Sequence, residues 1–493
     1  MKKSNLFASV LTSLLILSGC NNTTSNPSSN KGSVPATNSS SVAPSTGTTS
    51  STSSEFTYTN ELEGKFNKDT PVTITFWHTM NKDKLQPVLE EIITAFNKTE
   101  LGKNITVKHE QIGGYDEVRN AVISNIGVGA TPNLAYCYPD HVALYRDSRA
   151  VETLDTYISD LTYGFTEAER LGFVKGFYDE GRTFGDGKMY SLPFVKSTEV
   201  LFYDETFFEA NNLSVPTTWD EMWETCKKIK EINPESTPLG YDSEANWFIT
   251  NAEQRGYLYT SATTKVNGVE LGNQGHFRFN NEGNRNFLTE LKGYFDKQYF
   301  TTKTIFGNYT SNIYKSATKQ RAYMVIGSTG GATNQLRTDS VTGIATLPQA
   351  AEGKKAKDAA ISQGPSICML KKDNPQESIA SWLFLKYLTT NIEAQTSFAK
   401  ASGYIPASQL AQQSEGYQAY LKGANGKTNE GITALSAKTA VDQTNMYFAS
   451  PTFVGSSYAR DAAGAVMVDV LSKGVSPEDA LKNAVASCVS KLS

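Results

Sequence analysis

Strand-like and helix-like segments alternate along residues 72–137, and this alternation constrains the fold more than any other feature of the chain. Val72–Phe76 alternates apolar and polar residues, which predicts a strand. Apolar residues then recur at helical spacing from Leu85 to Phe96, which predicts a helix. The pattern continues with a strand at 105–112, a helix at 119–126 and a strand at 133–137. This order predicts βαβ units around a mainly parallel sheet.

The loops that follow the predicted strands are the first places to look for a ligand site. In sheets of this kind ligands bind beyond the carboxyl ends of the strands. The three loops are Trp77–Met80, Gly113–Tyr115 and Tyr138–Asp140.

The folded part of the chain, from about Phe66 to Ser493, is too long for one hydrophobic core. Its length therefore predicts two lobes. With 39% hydrophobic and 19% charged residues, the composition is that of an ordinary globular protein. A net charge of −4 and the lack of a dense basic run argue against nucleic acid as a partner.

The first twenty residues have the pattern of a secretory signal. Lys2 and Lys3 precede a short apolar run, Leu6–Leu17, which falls short of the roughly 20 residues needed to span a bilayer. The sequence Leu17-Ser18-Gly19-Cys20 resembles the lipobox of bacterial lipoproteins, in which the thiol is acylated and becomes the new N-terminus. That resemblance implies a signal peptide at 1–19 and a lipidated Cys20 on the extracytoplasmic face of the cell membrane. The alternative is an ordinary signal peptide with a chance cysteine.

A polar linker is predicted after the cysteine, within residues 20–65. From Asn21 to Ser54, 19 of the 34 residues are Ser or Thr and none is aromatic. Such a segment cannot bury enough apolar surface to offset the entropy lost on ordering. As a flexible coil it would span roughly 30 Å, which leaves the folded part free to move above a membrane.

The sequence offers no convincing catalytic or metal-binding motif. It contains no H-E-x-x-H, no G-x-S-x-G and no phosphate-binding P-loop, and its four histidines are scattered. Four cysteines other than Cys20 lie far apart without paired spacing, which favours isolated buried thiols over a zinc site or disulfides. We therefore predict no metal and no cofactor. A glycosidase stays open at this point, because its two acids can lie far apart in sequence.

Three helix starts are marked by capping sequences. Thr218-Trp219-Asp220-Glu221 is a capping box, with a hydroxyl residue three positions before a glutamate. Ser476–Asp479 and Asn374–Glu377 follow a similar pattern, each with proline at the first helical position. These sequences predict structure and carry no chemistry.

Several segments together carry a resemblance to a known family. In chain order they are Ile74–Met80, Gly129–Leu134, Tyr190–Phe194 with Val200–Asp204, Pro216–Glu221 and Gly403–Ala407. They resemble the first strand and loop, the turn before the third strand, the first interlobe crossing, a helix start and a late loop of extracellular solute-binding proteins of ABC importers. The likeness is to family 1, the maltose- and glycerol-phosphate-binding type, and it runs from about Pro71 to Lys491.

The resemblance implies an α/β, two-lobed periplasmic-binding-protein-like fold of type II. Lobe 1 would comprise 71–195 plus 363–413, and lobe 2 would comprise 196–362 plus 415–493. Crossing hinge strands would join the lobes, and the solute would bind in the cleft between them by hinge closure. Such a protein is a receptor and not an enzyme.

The resemblance also implies a set of ligand contacts, each of which is otherwise a loop or core residue. They are His78, Tyr115, Asp140, Ser197, Trp247, Ser328, Gly330, Gly364 and Tyr404. Asp140 lies one position from the acidic contact of the glycerol-phosphate type. The arginine that binds phosphate in that type would fall near Phe453–Tyr458, which has none, and nearby Arg460 is predicted to face solvent on a helix. Because arginine normally recognises phosphate, a neutral sugar or oligosaccharide is favoured over a phosphate ester.

These observations support three functional hypotheses. The leading one is a monomeric, lipid-anchored receptor that delivers a carbohydrate-type solute to ABC permease subunits in the membrane. The second is a surface-anchored glycosidase or other hydrolase. The third is a non-transport sensor or adhesin with the same fold.

Overall fold

Two five-stranded sheets organise residues 56–492, the part of the chain that the computed structural model describes. The signal peptide, Cys20 and the Ser/Thr-rich segment lie outside these residues. The strands, in chain order, are β1 Val72–His78, β2 Ile105–Gln111, β3 Leu134–Cys137, β4 Ser191–Pro193, β5 Val195–Lys196, β6 Glu199–Asp204, β7 Leu239–Tyr241, β8 Lys265–Val266, β9 Val269–Glu270, β10 Phe300–Thr302, β11 Met324–Ser328, β12 Thr342–Ala345, β13 Ala360–Ile361, β14 Ser366–Met369, β15 Ile405–Pro406 and β16 Tyr447–Phe448.

The first sheet has the order β2-β1-β3-β14-β4. Strands β1, β2 and β3 are parallel, as the alternating sequence pattern predicted. Strand β14 is antiparallel to both β3 and β4, so the sheet is mixed. The sheet is therefore less parallel than the sequence pattern predicted. Strand β14 joins it only after the chain has passed through the second sheet, so no βαβ unit sets its direction.

The second sheet has the order β10-β7-β11-β6-β12. Strands β10, β7 and β11 are parallel, whereas β6 and β12 pair antiparallel to their neighbours. Each sheet therefore organises one of two lobes, and the two-lobed α/β fold expected from the sequence is confirmed.

Helices cover the sheets and connect most of the strands. They are α1 Leu85–Phe96, α2 Tyr115–Ile126, α3 Pro139–Asp147, α4 Asp155–Ile158, α5 Glu167–Leu171, α6 Lys175–Glu180, α7 Glu205–Ala210, α8 Trp219–Ile232, α9 Glu244–Arg255, α10 Glu282–Asp296, α11 Lys303–Phe306, α12 Ser311–Tyr314, α13 Pro375–Thr390, α14 Ile392–Ser402, α15 Gln409–Gln413, α16 Glu415–Leu421, α17 Asn429–Asp442, α18 Ser456–Lys473 and α19 Pro477–Ser490. The predicted capping residues begin three of them. Thr218 Oγ1 accepts a hydrogen bond from the Glu221 amide at 3.2 Å, and Ser476 and Asn374 cap α19 and α13.

The core consists of one large cluster of buried apolar residues and three smaller ones, and the four cysteines of the described chain lie within these clusters. Cys137, Cys226, Cys368 and Cys488 are buried and unbridged, as predicted.

Near the N-terminal end of the described residues, contacts with the folded part begin before Phe66. Thr59 donates its amide to the Ser159 carbonyl at 2.8 Å, and Leu62 is buried. Residues 56–65 therefore pack against the folded part, although the sequence pattern grouped them with the linker.

Candidate functional site

The chain crosses between the sheets through short paired segments. Strand β5 pairs with β15, and Ser197 exchanges two backbone hydrogen bonds of 2.8 Å with Gln363. Strand β13 pairs in parallel with β16 beside them. Because these pairs are only one or two residues long, the connection between the lobes is narrow. A narrow connection of this kind can bend as a hinge.

A buried ion pair lies directly at this crossing. Lys196 Nζ lies 2.8 Å from Glu180 Oε1 and donates a second hydrogen bond of 2.8 Å to the Gly364 carbonyl. The other carboxylate oxygen of Glu180 accepts from Ser362 Oγ at 2.8 Å. The network thus ties α6 of the first lobe to both crossing segments. Every partner is needed, because an unpaired charge at this depth is strongly unfavourable.

Tyr115, Tyr138 and Tyr404 meet near the crossing, and we call them the cleft tyrosines. Tyr115 begins α2, Tyr138 precedes α3, and Tyr404 precedes β15. The rings of Tyr115 and Tyr138 have centroids 4.7 Å apart. The Tyr115 hydroxyl interacts with the hydroxyls of both Tyr138 and Tyr404. Burial raises the pKa of all three phenols, so they remain neutral donors and acceptors at physiological pH.

The second lobe touches this cluster through Gly330. Residues Thr329–Gln335 form a 3₁₀ helix after β11, and Ser328 Oγ caps it by accepting from the Gly330 amide at 3.3 Å. A Cβ atom at Gly330 would lie 2.6 Å from Cε1 of Tyr404, which is closer than van der Waals contact allows. Only glycine therefore lets the Tyr404 ring lie against this backbone. The predicted residues Tyr115, Ser328, Gly330 and Tyr404 thus share one region.

A row of hydrogen-bonded polar side chains from the second lobe extends toward the same region. Arg460, the fifth residue of α18, donates to Asn246 Oδ1, and Asn246 Nδ2 donates to Glu199 Oε1 at 2.7 Å. Tyr241 Oη donates to the other oxygen of Glu199 at 2.7 Å. Burial raises the pKa of Glu199 to about 7, although both hydrogen bonds oppose the shift.

Arg460 is exposed, as predicted, and its guanidinium also donates to Asn246 and interacts electrostatically with Tyr138 of the first lobe. The prediction used only the amphipathic pattern of α18. That pattern does not reveal that the N-terminal end of the helix borders the other lobe. A cation therefore lies close to the cleft tyrosines.

Asp140 lies at the border between the lobes. It is in the first turn of α3, with Oδ1 4.0 Å from His141 Nε2. It also interacts electrostatically with Tyr259 and with Asp461 on α18. Burial raises the pKa of Asp461, and the carboxylates of Asp116 and Asp140 add to the shift. Carboxylates of the two lobes therefore face each other here.

Ser197 and Gly364 belong to the hinge backbone. Ser197 is buried, and its backbone pairs with Gln363. Gly364 has φ +86°, a left-handed conformation that favours glycine, and its carbonyl accepts from Lys196. Both residues shape the crossing and lie next to the ion pair.

His78 and Trp247 are fully enclosed in the protein. The Nε2 atom of His78 lies 3.0 Å from Nδ1 of His109, and its own Nδ1 accepts from the Met80 amide. Burial, together with the neighbouring His109, lowers the pKa of His78 to about 3. The Trp247 side chain is 1% exposed and stacks on Tyr241 at a centroid distance of 4.6 Å. It therefore lies directly behind Tyr241 and Glu199.

Sequence reasoning missed Tyr138, Arg460, Asn246 and Glu199. Tyr138 stood in one of the loops selected after the strands, so position alone gave a usable signal. Asn246 and Glu199 had none, because their roles depend on contacts between segments 47 residues apart in the chain.

Two surface concavities are lined by residues other than the cleft tyrosines. One, of about 720 Å³, is lined by Phe96, Tyr387 and Ile392, and another, of about 590 Å³, by Trp223 and Tyr294. We favour the cleft tyrosines as the site because they join polar groups from both lobes at a hinge. The Tyr404 ring lies against the Gly330 backbone, so the two lobes are in contact at this point.

The described part of the chain gives little support to other kinds of site. Across residues 56–492, no group of three or more His, Cys, Asp or Glu side chains is arranged to hold a metal ion. Within the same residues, no helix has the length and apolar character needed to cross a membrane.

Comparisons with known proteins agree with this architecture. The chain is 24% identical over 341 residues to the sn-glycerol-3-phosphate-binding periplasmic protein UgpB of Yersinia pestis, covering 69% of this chain and 74% of that protein. The cyclic alpha-maltosyl-1,6-maltose binding protein of Arthrobacter globiformis superposes with a TM-score of 0.67 at 16% identity, covering 85% of this chain and 98% of that one. UgpB from Mycobacterium tuberculosis, in complex with glycerophosphocholine, gives a TM-score of 0.66 at 16% identity, covering 86% and 100%.

The family model for bacterial extracellular solute-binding proteins matches residues 91–425, which is more than half of the chain. Proteins of this family are non-enzymatic receptors of ABC import, so the hydrolase hypothesis is set aside. The chain belongs to the bacterial extracellular solute-binding protein family.

Proposed function

We propose that the chain is a lipid-anchored receptor that captures a carbohydrate-type solute, a sugar or oligosaccharide, and delivers it to an ABC permease in the membrane. The observation that carries the proposal is the meeting of Tyr115, Tyr138 and Tyr404 beside the interlobe crossing. Aromatic rings pack on the C–H faces of sugars, and neutral hydroxyls exchange hydrogen bonds with sugar hydroxyls. Maltose-type sugars are also the solutes named for the Arthrobacter protein.

Cleft closure is proposed as the mechanism. Lobe 1 would comprise 71–195 plus 363–413, and lobe 2 would comprise 196–362 plus 415–493. Strands β1 to β4 and β14 fall in the first set, and β6, β7 and β10 to β12 fall in the second, which supports this division. Opening would separate Gly330 from Tyr404 and admit the solute, and closing would bury it between the lobes.

Direct contacts are proposed for Tyr115, Tyr404, Ser328, Gly330 and Asp140, with Tyr138 and Arg460 added from the structure. Their shared position between the lobes supports this assignment. The remaining predicted residues are given supporting roles. Ser197 and Gly364 would shape the hinge, while His78 and Trp247 would hold β1 and the Glu199 region in place from behind.

A second candidate ligand is a glycerol-phosphate-type ester, and Arg460 is the observation that favours it. Its guanidinium lies between Asn246 and Tyr138, where it could receive a phosphoryl oxygen. The Yersinia relative is named for sn-glycerol 3-phosphate, and the Mycobacterium protein holds glycerophosphocholine. The sugar remains our first choice because uncharged hydroxyls outnumber cations around the cleft tyrosines.

A thermal-shift panel on residues 56–493 separates these candidates. The probes are maltotriose, sn-glycerol 3-phosphate and glycerophosphocholine. A solute at about 100 times its dissociation constant should stabilise the protein by about 2.7 kcal/mol. Stabilisation by maltotriose supports the sugar proposal. Stabilisation by the phosphate esters alone, lost in Arg460→Gln, would replace it with the second candidate.

The lipid anchor is tested separately. In cells labelled with a fatty acid, the wild-type chain should incorporate label and fractionate with membranes, whereas Cys20→Ala should do neither. Lys31→Ala, a change in the same polar segment, should behave like the wild type. Unchanged labelling of Cys20→Ala would refute the anchor.

A further inference from the structure

Tyr136 carries a buried hydroxyl that has no hydrogen-bond partner among residues 56–492. The residue lies on β3, and its side chain is 2% exposed. Its ring packs edge-on against Phe76 at a centroid distance of 5.4 Å. Most buried polar side-chain atoms in proteins are hydrogen-bonded, so an unpartnered hydroxyl calls for an explanation.

The position of Tyr136 connects it to the cleft tyrosines. It lies two residues before Tyr138, and its ring is nearly parallel to that of Tyr115, with an interplanar angle of 21° and centroids 6.4 Å apart. The Tyr136 hydroxyl also interacts electrostatically with that of Tyr404. The unpartnered group therefore lies next to Tyr115 and close to Tyr404, beside the proposed site.

We propose that Tyr136 is a further ligand-binding residue, whose hydroxyl exchanges a hydrogen bond with a hydroxyl group of the bound solute. This inference rests on the proposed function and sharpens it. The solute would present a hydroxyl-bearing end, such as the edge of a sugar ring or a glycerol unit, between Tyr115 and Tyr404. A bulky apolar end would leave the buried oxygen without a partner and would be rejected.

The local packing supports a role in recognition over a role in stability. Phe76, His78 and Tyr115 provide the ring contacts of Tyr136, and phenylalanine would make the same contacts. The hydroxyl adds no hydrogen bond within the described chain, so it gives the unliganded protein no stabilisation of that kind. A bond made only with the solute would convert this unfavourable group into affinity and selectivity.

The chain provides a matched control in Tyr417. This residue, on α16, is fully buried and also has an unpartnered hydroxyl among residues 56–492, but it packs against Tyr420, away from the cleft tyrosines. Tyr136→Phe and Tyr417→Phe therefore remove chemically equivalent groups. They should change the stability of the unliganded protein alike, and only the first should change solute affinity.

The experiment is calorimetric titration of residues 56–493 and of the two variants with maltotriose and, in parallel, glycerophosphocholine. Thermal unfolding of the three unliganded proteins is measured alongside. We expect Tyr136→Phe to weaken binding of the solute that the wild type accepts by about tenfold, the effect of one hydrogen bond. Tyr417→Phe should bind as the wild type does, and neither variant should unfold at a lower temperature.

The outcomes separate this inference from the proposed function. Equal affinity of the wild type and Tyr136→Phe would overturn the role of Tyr136 while leaving the receptor function intact. Binding of glycerophosphocholine alone, weakened in Tyr136→Phe, would retain Tyr136 and replace the sugar proposal. If neither solute binds the wild type, the unfolding temperatures of the unliganded proteins test whether the Tyr136 hydroxyl lacks a partner. A Tyr136→Phe variant that unfolds earlier than Tyr417→Phe would show that the hydroxyl already has a partner, such as a buried water, and would refute the inference.

Discussion

Lys196→Met tests the buried ion pair at the interlobe crossing. Lys196 and Glu180 have side-chain exposures of 0% and 3%, and their charged atoms are 2.8 Å apart. Methionine fills a similar volume but leaves the Glu180 carboxylate with only the hydroxyls of Ser362 and Ser366. Removing one partner of a buried pair costs about 3–5 kcal/mol, so we expect the free energy of unfolding to fall by that amount.

The assay is urea unfolding at pH 7, followed by tryptophan fluorescence. Lys175→Met is the matched control, because Lys175 pairs with Asp179 on the same helix α6 at side-chain exposures of 86% and 50%. An exposed pair contributes about 0–1 kcal/mol, so this variant should unfold close to the wild type. Adding Glu180→Gln to Lys196→Met should recover part of the loss, because no unpaired charge remains. A loss below about 1 kcal/mol for Lys196→Met would refute the reasoning.

Two further predictions concern the second lobe. Glu199 has its pKa raised to about 7 by burial, so the stability given by its protonated form is complete below about pH 4.5 and is lost as pH rises through 7. Between pH 4.5 and about 7, the free energy of unfolding of the wild type, measured with urea, should fall by about 3 kcal/mol relative to that of Glu199→Gln. A difference between the two proteins that does not change with pH would contradict the raised pKa. Gly330→Ala should displace the Tyr404 ring and weaken solute binding at least about tenfold, because the added Cβ lies 2.6 Å from Cε1. Gly331→Ala, whose Cβ has only the Asn334 side chain at 3.8 Å, should bind normally in the same titration, and equal binding by both variants would refute the contact.

Local sequence patterns predicted the elements that depend on local interactions. Strand β1 was expected at 72–76 and extends to His78, and helix α1 lies where the apolar spacing placed it. The capping box at Thr218 begins α8 with both expected hydrogen bonds. In these cases the pattern reports burial of one face or pairing within one turn, and neighbouring residues determine both.

The pairing of distant strands and the positions of the site side chains could not be predicted, because they depend on contacts between segments far apart in the sequence. No local pattern shows that β14 enters the first sheet antiparallel to β3, since the partners Ser366 and Cys137 are 229 residues apart. The same limit applies to individual side chains. The family resemblance placed Trp247 among the ligand contacts but did not reveal that it is buried and stacks on Tyr241. The amphipathic pattern of α18 likewise did not reveal that Arg460 meets Asn246 from another helix.

The measurement that tests the central claim most directly is calorimetric titration of residues 56–493 with maltotriose, for the wild type, Tyr404→Ala and Tyr420→Ala. Tyr420 is a tyrosine of α16, where it packs against Tyr417, and serves as the control. Capture between the lobes predicts one site per chain in the wild type, at least about a tenfold loss of affinity in Tyr404→Ala, and unchanged binding in Tyr420→Ala. Wild-type binding that Tyr404→Ala leaves unaltered would contradict the account.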